Sequence, residues 1–419
     1  MRIGAAPAAD EPVDVAAADL FDPEYHASGD PHALWAHLRE HAPLHRQVLP
    51  DGRRFWNVTR YDDVCRVLGD HREFTSERGS VLTQLGHDDV SSGKMLVSTD
   101  PPRHSELRRP MNRRVTARAL ADWEGRIRQA VTEFLAPARD GGIWDVAERA
   151  YRLPMTVAGA LMGVPEEDWD ELVRWTAMAA APDDAEFRIG SAAATLAVAH
   201  HQTFEYFAAQ VRERRKRPEA GPGPAEDLIG HLMTMSAGDA PLTDEEVIYN
   251  CYSILLGANA TTPHTVSGTL LALSEHPDQL RKAAGDPGAV IPSLVEEGLR
   301  WTSPASSFLR YAVQDTELAG GRVAAGDAVA VWVGSANRDE RVFADPYRFD
   351  VLRDDNRHIA FGYGPHYCLG APLARITFRV LFDEFLRAFR SVETAGPATH
   401  LRSVFIAGLT HLPVLTEPR

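Results

Sequence analysis

Cysteine is scarce: the 419 residues hold three, Cys65, Cys251 and Cys368, and no two form a Cys-x-x-Cys pair. That excludes a disulfide framework and signals no structural zinc site, so any sulfur chemistry rests on a single thiol. Long apolar runs are also missing, and none reaches the roughly 20 uncharged residues that cross a bilayer as a helix. Positive charge is in deficit, with 44 Lys and Arg against 59 Asp and Glu and a formal charge of −15. Such a chain has no general affinity for nucleic acid or anionic lipid, although a local basic face stays open. The amino terminus, through Ala16-Ala17-Ala18, lacks the cationic start and apolar block of a secretory signal, which predicts a cytoplasmic protein.

What is present is an ordinary globular composition, 44% apolar and 25% charged, with material for a large core. Residues 1–20 read as a loose tail, and Arg217 to Ala225, rich in Pro and Gly, as a surface loop. Apolar spacings of three and four predict helices around 31–42, 104–138, 145–162, 192–216, 244–275, 290–301 and 372–389. Short β-rich pieces stand at 54–59, 309–313 and 328–333, the last two separated by a turn with Gly320-Gly321. The class is mainly α with small β-sheets. Thr243 and Glu246 form a capping-box pattern opening the 244–275 segment, about 32 residues that would run through the centre of a domain.

The segment Phe361-Gly362-Tyr-Gly364-Pro-His366-Tyr-Cys368-Leu-Gly370 carries the most chemistry. Its glycines let backbone approach a flat cofactor and adopt φ values closed to other residues. The helix starting near Pro372 turns its positive end towards the sulfur and favours a thiolate. Taken alone, Cys368 could also be a buried structural cysteine, or a nucleophile with His366 or His358 as base.

The fixed positions Phe361-Gly-x-Gly-x-His366-x-Cys368-x-Gly370 match the haem-binding signature of the cytochrome P450 family, and the resemblance extends over roughly residues 20 to 415. It implies one haem domain, 21–419, with the haem between the long central helix and the helix following the Cys loop. It implies Cys368 as the iron ligand of a b-type haem (iron protoporphyrin IX), with Phe361, Gly362, Gly370 and Ala258 against the macrocycle. His104 and Arg108, at i,i+4 spacing, together with Arg310 and His366, match the family's propionate partners. Glu297-Gly-Leu-Arg300 resembles a Glu-x-x-Arg pair completed by Arg348 of Pro346-Tyr-Arg348-Phe349, a scaffold for the cysteine loop.

Gly257-Ala258-Asn259-Ala260-Thr261-Thr262-Pro263 aligns with the family's oxygen-activation stretch, in which Thr261 matches and the usual acid is replaced by Ala260. Asn259 is the candidate to orient water in its place. Pro263 has no N–H for the carbonyl of Asn259, so a kinked groove is expected there. The substrate cavity is expected to be walled by 80–98, 177–205, Leu255 and Ala258, Ala305, Ser306, Ser307 and Phe308, and Val404, Phe405 and Ile406. The resemblance implies a monooxygenase acting on a small organic substrate and dioxygen, in natural-product metabolism. A ferredoxin and its reductase would be the electron donors, docking on a basic face that includes Arg113, Arg114, Arg375 and Arg379. A peroxide-driven reaction or a non-enzymatic haem protein are the alternatives.

Overall fold

The computed structural model describes residues 13–15, 18–116, 118–216 and 227–419. The predicted surface loop at 217–225 and most of the predicted tail lie outside the described residues, but Leu20 is buried and Val13, Val15 and Ala18 pack against a core cluster. Among the described residues no helix is long and apolar enough to cross a membrane.

Helices dominate. The segment after Cys368 shows why: in helix Ala371–Ala388, Pro372 sits in the first turn, where its missing N–H costs nothing. Phe378, Leu381, Phe382 and Phe385 repeat at spacings of three and four and are all at most 1% exposed. Each such side chain contributes roughly 1.5–3 kcal/mol by leaving water. They meet helices Glu124–Arg139, Thr262–Glu275 and Pro287–Thr302 in the largest core cluster.

A five-stranded sheet packs beside the helices. In it Arg54–Val58, Ala328–Trp332 and Ser307–Ala312 are neighbours, with Leu44–Val48 and Phe74–Thr75 at the edges. The expected turn around Gly320-Gly321 is a hairpin pairing Thr316–Leu318 with Gly321–Val323.

Three expectations change. The predicted helix over 104–138 is two, Arg103–Asn112 and Glu124–Arg139, and that over 145–162 is Val146–Ala150 followed by Arg152–Met162. The capping box at Thr243 and Glu246 is present, but the central helix is divided into Asp244–Asn259 and Thr262–Glu275. Thr261, with φ −120 and ψ −43, lies between them, and Pro263 falls in the first turn of the second half, so the expected kink is a full interruption.

The third change concerns the scaffold. Glu297 and Arg300 are fully buried, and the guanidinium bonds both carboxylate oxygens at 2.7 and 2.8 Å. Arg348 does not complete the set: its side chain is 58% exposed, 3.6 Å from Asp350, and only its carbonyl accepts from Arg300. Arg353 takes the place, with Nε 3.0 Å from Glu297, and Asn356 and the Asp350 amide also donate to that carboxylate. The chain turns between 348 and 353, so spacing from Arg300 did not reveal which arginine comes back. Replacing Arg353 by Met is expected to cost about 2–3 kcal/mol, the value of hydrogen bonds to a buried charge. Arg348→Met should stay within about 0.5 kcal/mol, as at an exposed site. Urea denaturation of both variants measures the difference.

Candidate functional site

The Cys368 loop is pinned from both sides. Asn337 Oδ1 accepts from the Ile359 amide at 2.8 Å, and Phe361 O accepts from the Cys368 amide at 2.8 Å. Gly362 and Gly364 have φ of +75 and +72, a left-handed backbone disfavoured for residues with a Cβ. At Gly364 a Cβ would also stand 2.6 Å from the Cα of Gly69.

The Cys368 sulfur faces a cavity of about 590 Å³ and accepts from the amides of Gly370 and Ala371 at the start of the following helix. Desolvation pushes its thiol up, while those amides, Arg108 and Arg375 pull it down. Burial prevails, so the protein alone favours the thiol, and a bound metal ion would deprotonate it. Neither histidine offered as a base is hydrogen-bonded to it: His358 pairs with Glu296 at 2.9 Å, and His366 Nε2 lies 3.2 Å from Ser76 Oγ. The other two cysteines lie in core clusters, and burial raises the Cys65 thiol to about 12.

Beside Cys368 the cavity wall gathers cations. Arg310 is 3% exposed and, among the described residues, has no carboxylate in salt-bridge range; Nη1 donates to the Leu309 carbonyl at 2.8 Å, and burial lowers it to about 10. Arg108 donates to the carbonyls of Pro365 and Tyr367, and burial lowers it too. His366 lines the same wall with its Nε2 3.8 Å from Asp100, whose carboxyl is held below the usual range; burial there is outweighed by His366, Thr75 and Ser76. His104 is not on the wall. It lies behind His366 with ring centroids 4.5 Å apart, its Nε2 is buried without a partner, and burial takes it down to about 3. Cations weakened by burial are what an anionic group placed in this cavity would relieve. An apolar cavity with a sulfur on one wall and one buried and one half-buried guanidinium group at its edge suits a flat macrocycle bearing carboxylates.

The central helix presents its break to the same cavity through Gly257, Ala258, Ala260, Thr261 and Thr262. Thr261 Oγ1 donates to the Gly257 carbonyl at 3.0 Å. Asn259 is not in the cavity: it is 1% exposed, and its amide points at Met155 Sδ and Thr176 Oγ1 at 3.3 and 3.4 Å. On a helix, 258 and 261 share a face, while 259 is turned about 100° away.

Other pocket expectations divide by the same geometry. Ala305, Phe308 and Phe405 line the cavity. Leu255 is in a core cluster instead, Ile406 packs with Ala180, Ala181 and Ala260, and Val404 is also core. Ser307, the first residue of its strand and next to the inward Phe308, turns its hydroxyl to the Val404 carbonyl at 2.7 Å. Ser306 is fully buried, its amide bonded to the Phe405 carbonyl at 2.9 Å. Within the expected 177–205 wall lie His200 and Phe204 of helix Ala192–Arg215, and beside them Tyr249 and Tyr252 of the central helix, which the sequence did not single out. Their spacings of four and three are the signal that could have found them. In the expected basic face, Arg375 is already engaged by Glu296 at 2.7 Å and lies 4.7 Å over Phe361, whereas Arg113 and Arg379 are exposed.

Comparison with known proteins gives a consistent picture. A family model for cytochrome P450 matches residues 289–405. The putative cytochrome P450 126 of Mycobacterium tuberculosis is 37% identical, covering 94% of this chain and 96% of its own. Cytochrome P450 NovI of Streptomyces niveus is 33% identical, covering 96% and 97%. The crystal structure of P450 OxyD, involved in the biosynthesis of vancomycin-type antibiotics, superposes with a TM-score of 0.84 at 32% identity, covering 96% of this chain and 100% of that one.

The buried cations give an expected outcome. Arg310→Met should weaken retention of an anionic haem by roughly tenfold to a hundredfold, since one charge-assisted bond is worth about 1.5–3 kcal/mol. Transfer of haem to an excess of apomyoglobin measures it.

Proposed function

The chain belongs to the cytochrome P450 family, a haem-dependent oxidoreductase, and from that premise we propose that Cys368 is the iron ligand of a b-type haem and that Thr261 governs proton delivery on the opposite face. The observation that carries this reading is one cavity bounded by the Cys368 sulfur, by buried Arg310, and by the interrupted helix at Thr261. With no Cys-x-x-Cys-His, the haem would be held by the sulfur and by non-covalent contacts. When bound, thiolate-ligated haem supplies reductive activation of dioxygen.

The residues then divide the work. Arg310, Arg108 and His366 hold the propionates and fix the orientation of the ring, with His104 supporting His366. The small side chains of Ala258 and Ala305 would leave room for substrate over a bound haem, and Phe308 and Phe405, with centroids 6.1 Å apart, line the same cavity. The position of the family's acid is Ala260, 3% exposed among Ala180, Ala181, Leu401 and Ile406, so that point of the groove offers no proton-donating side chain. Thr261 Oγ1 is the hydroxyl left to hold and pass a proton, and its bond to the Gly257 carbonyl fixes which way it faces. Asn259 has no part in the relay.

Electrons come from a separate ferredoxin and its reductase in this reading, since three cysteines are too few for an iron–sulfur cluster. Exposed Arg113 and Arg379 supply local positive potential for an acidic donor. The substrate is a small organic molecule, and kinship with a protein of antibiotic biosynthesis supports natural-product tailoring as the role.

The test is coupling, the ratio of oxidised product to reductant consumed. Thr261→Ala should lower it severalfold with more peroxide released, and Asn259→Ala should leave it unchanged. Unaltered coupling in Thr261→Ala would remove the hydroxyl from proton delivery.

A further inference from the structure

The cavity continues well beyond Thr261. Tyr252 also lines it and stands nine residues earlier on the central helix, about 13 Å along the axis at 1.5 Å per residue. At that end His200 Nε2 is 2.9 Å from the Tyr252 hydroxyl, and His200 stacks on Phe204 at 5.5 Å. Phe204 in turn meets Tyr249 and Tyr252 edge-on at 5.3 and 5.1 Å. The result is a continuous aromatic wall with hydroxyls and one imidazole.

Charge on the cavity wall is unevenly placed. Among the described lining residues the charged side chains are Asp88, Asp89, Arg108 and Arg310. The arginines belong to the Cys368 end, which leaves two carboxylates and no lining cation for the rest. Asp89 is near enough to act electrostatically on both His200 and Tyr249. Its Oδ1 accepts from the Ser91 amide and hydroxyl at 2.9 and 2.6 Å, but Oδ2 is buried with no partner. Lys94, the nearby cation, does not line the cavity; it is tied to Glu245 at 2.9 Å and its Nζ lies 5.9 Å over the ring of Tyr249, which is thereby already paired with a cation. His200 offers no compensating charge, because burial lowers its affinity for a proton.

We infer that the end of the cavity remote from Cys368 recognises a cationic, amine-derived head group on an elongated substrate, with Asp89 as counter-charge and Phe204 and Tyr252 as the aromatic wall. This deepens the proposed function and rests on its reading of the cavity as the substrate site. A buried unpartnered carboxylate oxygen gains most from a charged donor, and ring faces favour cations over anions. Carboxylate-bearing substrates are repelled.

The test uses haem-loaded protein and three probes of one chain length, decyltrimethylammonium, decanol and decanoate, followed by the low-to-high-spin absorbance shift. The quaternary ammonium has no lone pair to ligate iron. It should bind at least about tenfold more tightly than decanoate, and Asp89→Asn, which keeps the Oδ1 contacts to Ser91, should abolish most of that preference. Asp88→Asn, on an exposed side chain, should reduce it less and serves if Asp89→Asn lowers haem content. Equal binding of ammonium and carboxylate, or a preference untouched by both variants, overturns the inference while leaving the cavity as the substrate site. No shift with any probe overturns the cavity assignment and the inference with it.

Discussion

A sulfur that must be ionised to bind metal sits where desolvation favours its neutral form, and much of the surrounding structure answers that conflict. Two amides at the head of helix Ala371–Ala388, with Arg108 and Arg375 nearby, pull against burial without overcoming it. In the proposed reading, a metal bound at Cys368 would complete the site rather than decorate it. The loop must then be rigid enough to hold the sulfur in place before the metal arrives.

That rigidity traces to a buried carboxylate. Glu297 gathers Arg300, Arg353, Asn356 and the Asp350 amide, and Arg300 goes on to the carbonyls of Asn337, Pro346 and Arg348. Asn337 in turn receives Ile359, two residues before the Phe361 carbonyl that accepts from Cys368. A fully desolvated ion pair is weak evidence for net stability. Its value here is that four backbone groups, at Asn337, Pro346, Arg348 and Asp350, converge on one carboxylate and its guanidinium partner, which fixes their relative positions.

Local patterns were legible in the sequence and reversals of the chain were not. The ten residues ending at Gly370, the capping box at Thr243 and the disruptive Pro263 act within a few positions, so the fold class and the cysteine loop could be read directly. Arg353 replaces Arg348 because a turn brings it back, which no linear spacing encodes. Asn259, Ser307 and Ile406 were misplaced for a simpler reason: each neighbours an inward residue and faces elsewhere. Of the aromatic wall, His200 and Phe204 fell within the expected 177–205 stretch, whereas Tyr249 and Tyr252 were overlooked because their helix meets that one only in the folded state.

The distal side is where this chain differs. An alanine packed in an apolar cluster replaces the family's acid, and the carboxylates appear instead on the cavity wall at Asp88 and Asp89. In the proposed reading, proton handling and substrate charge selection fall to different residues, and both presuppose iron on Cys368. The direct measurement is the carbon monoxide difference spectrum of reduced wild-type protein and of Cys368→Ser. The arrangement predicts a thiolate-type spectrum that the serine variant loses while still binding haem; a thiolate-type spectrum persisting in that variant would contradict Cys368 as the ligand.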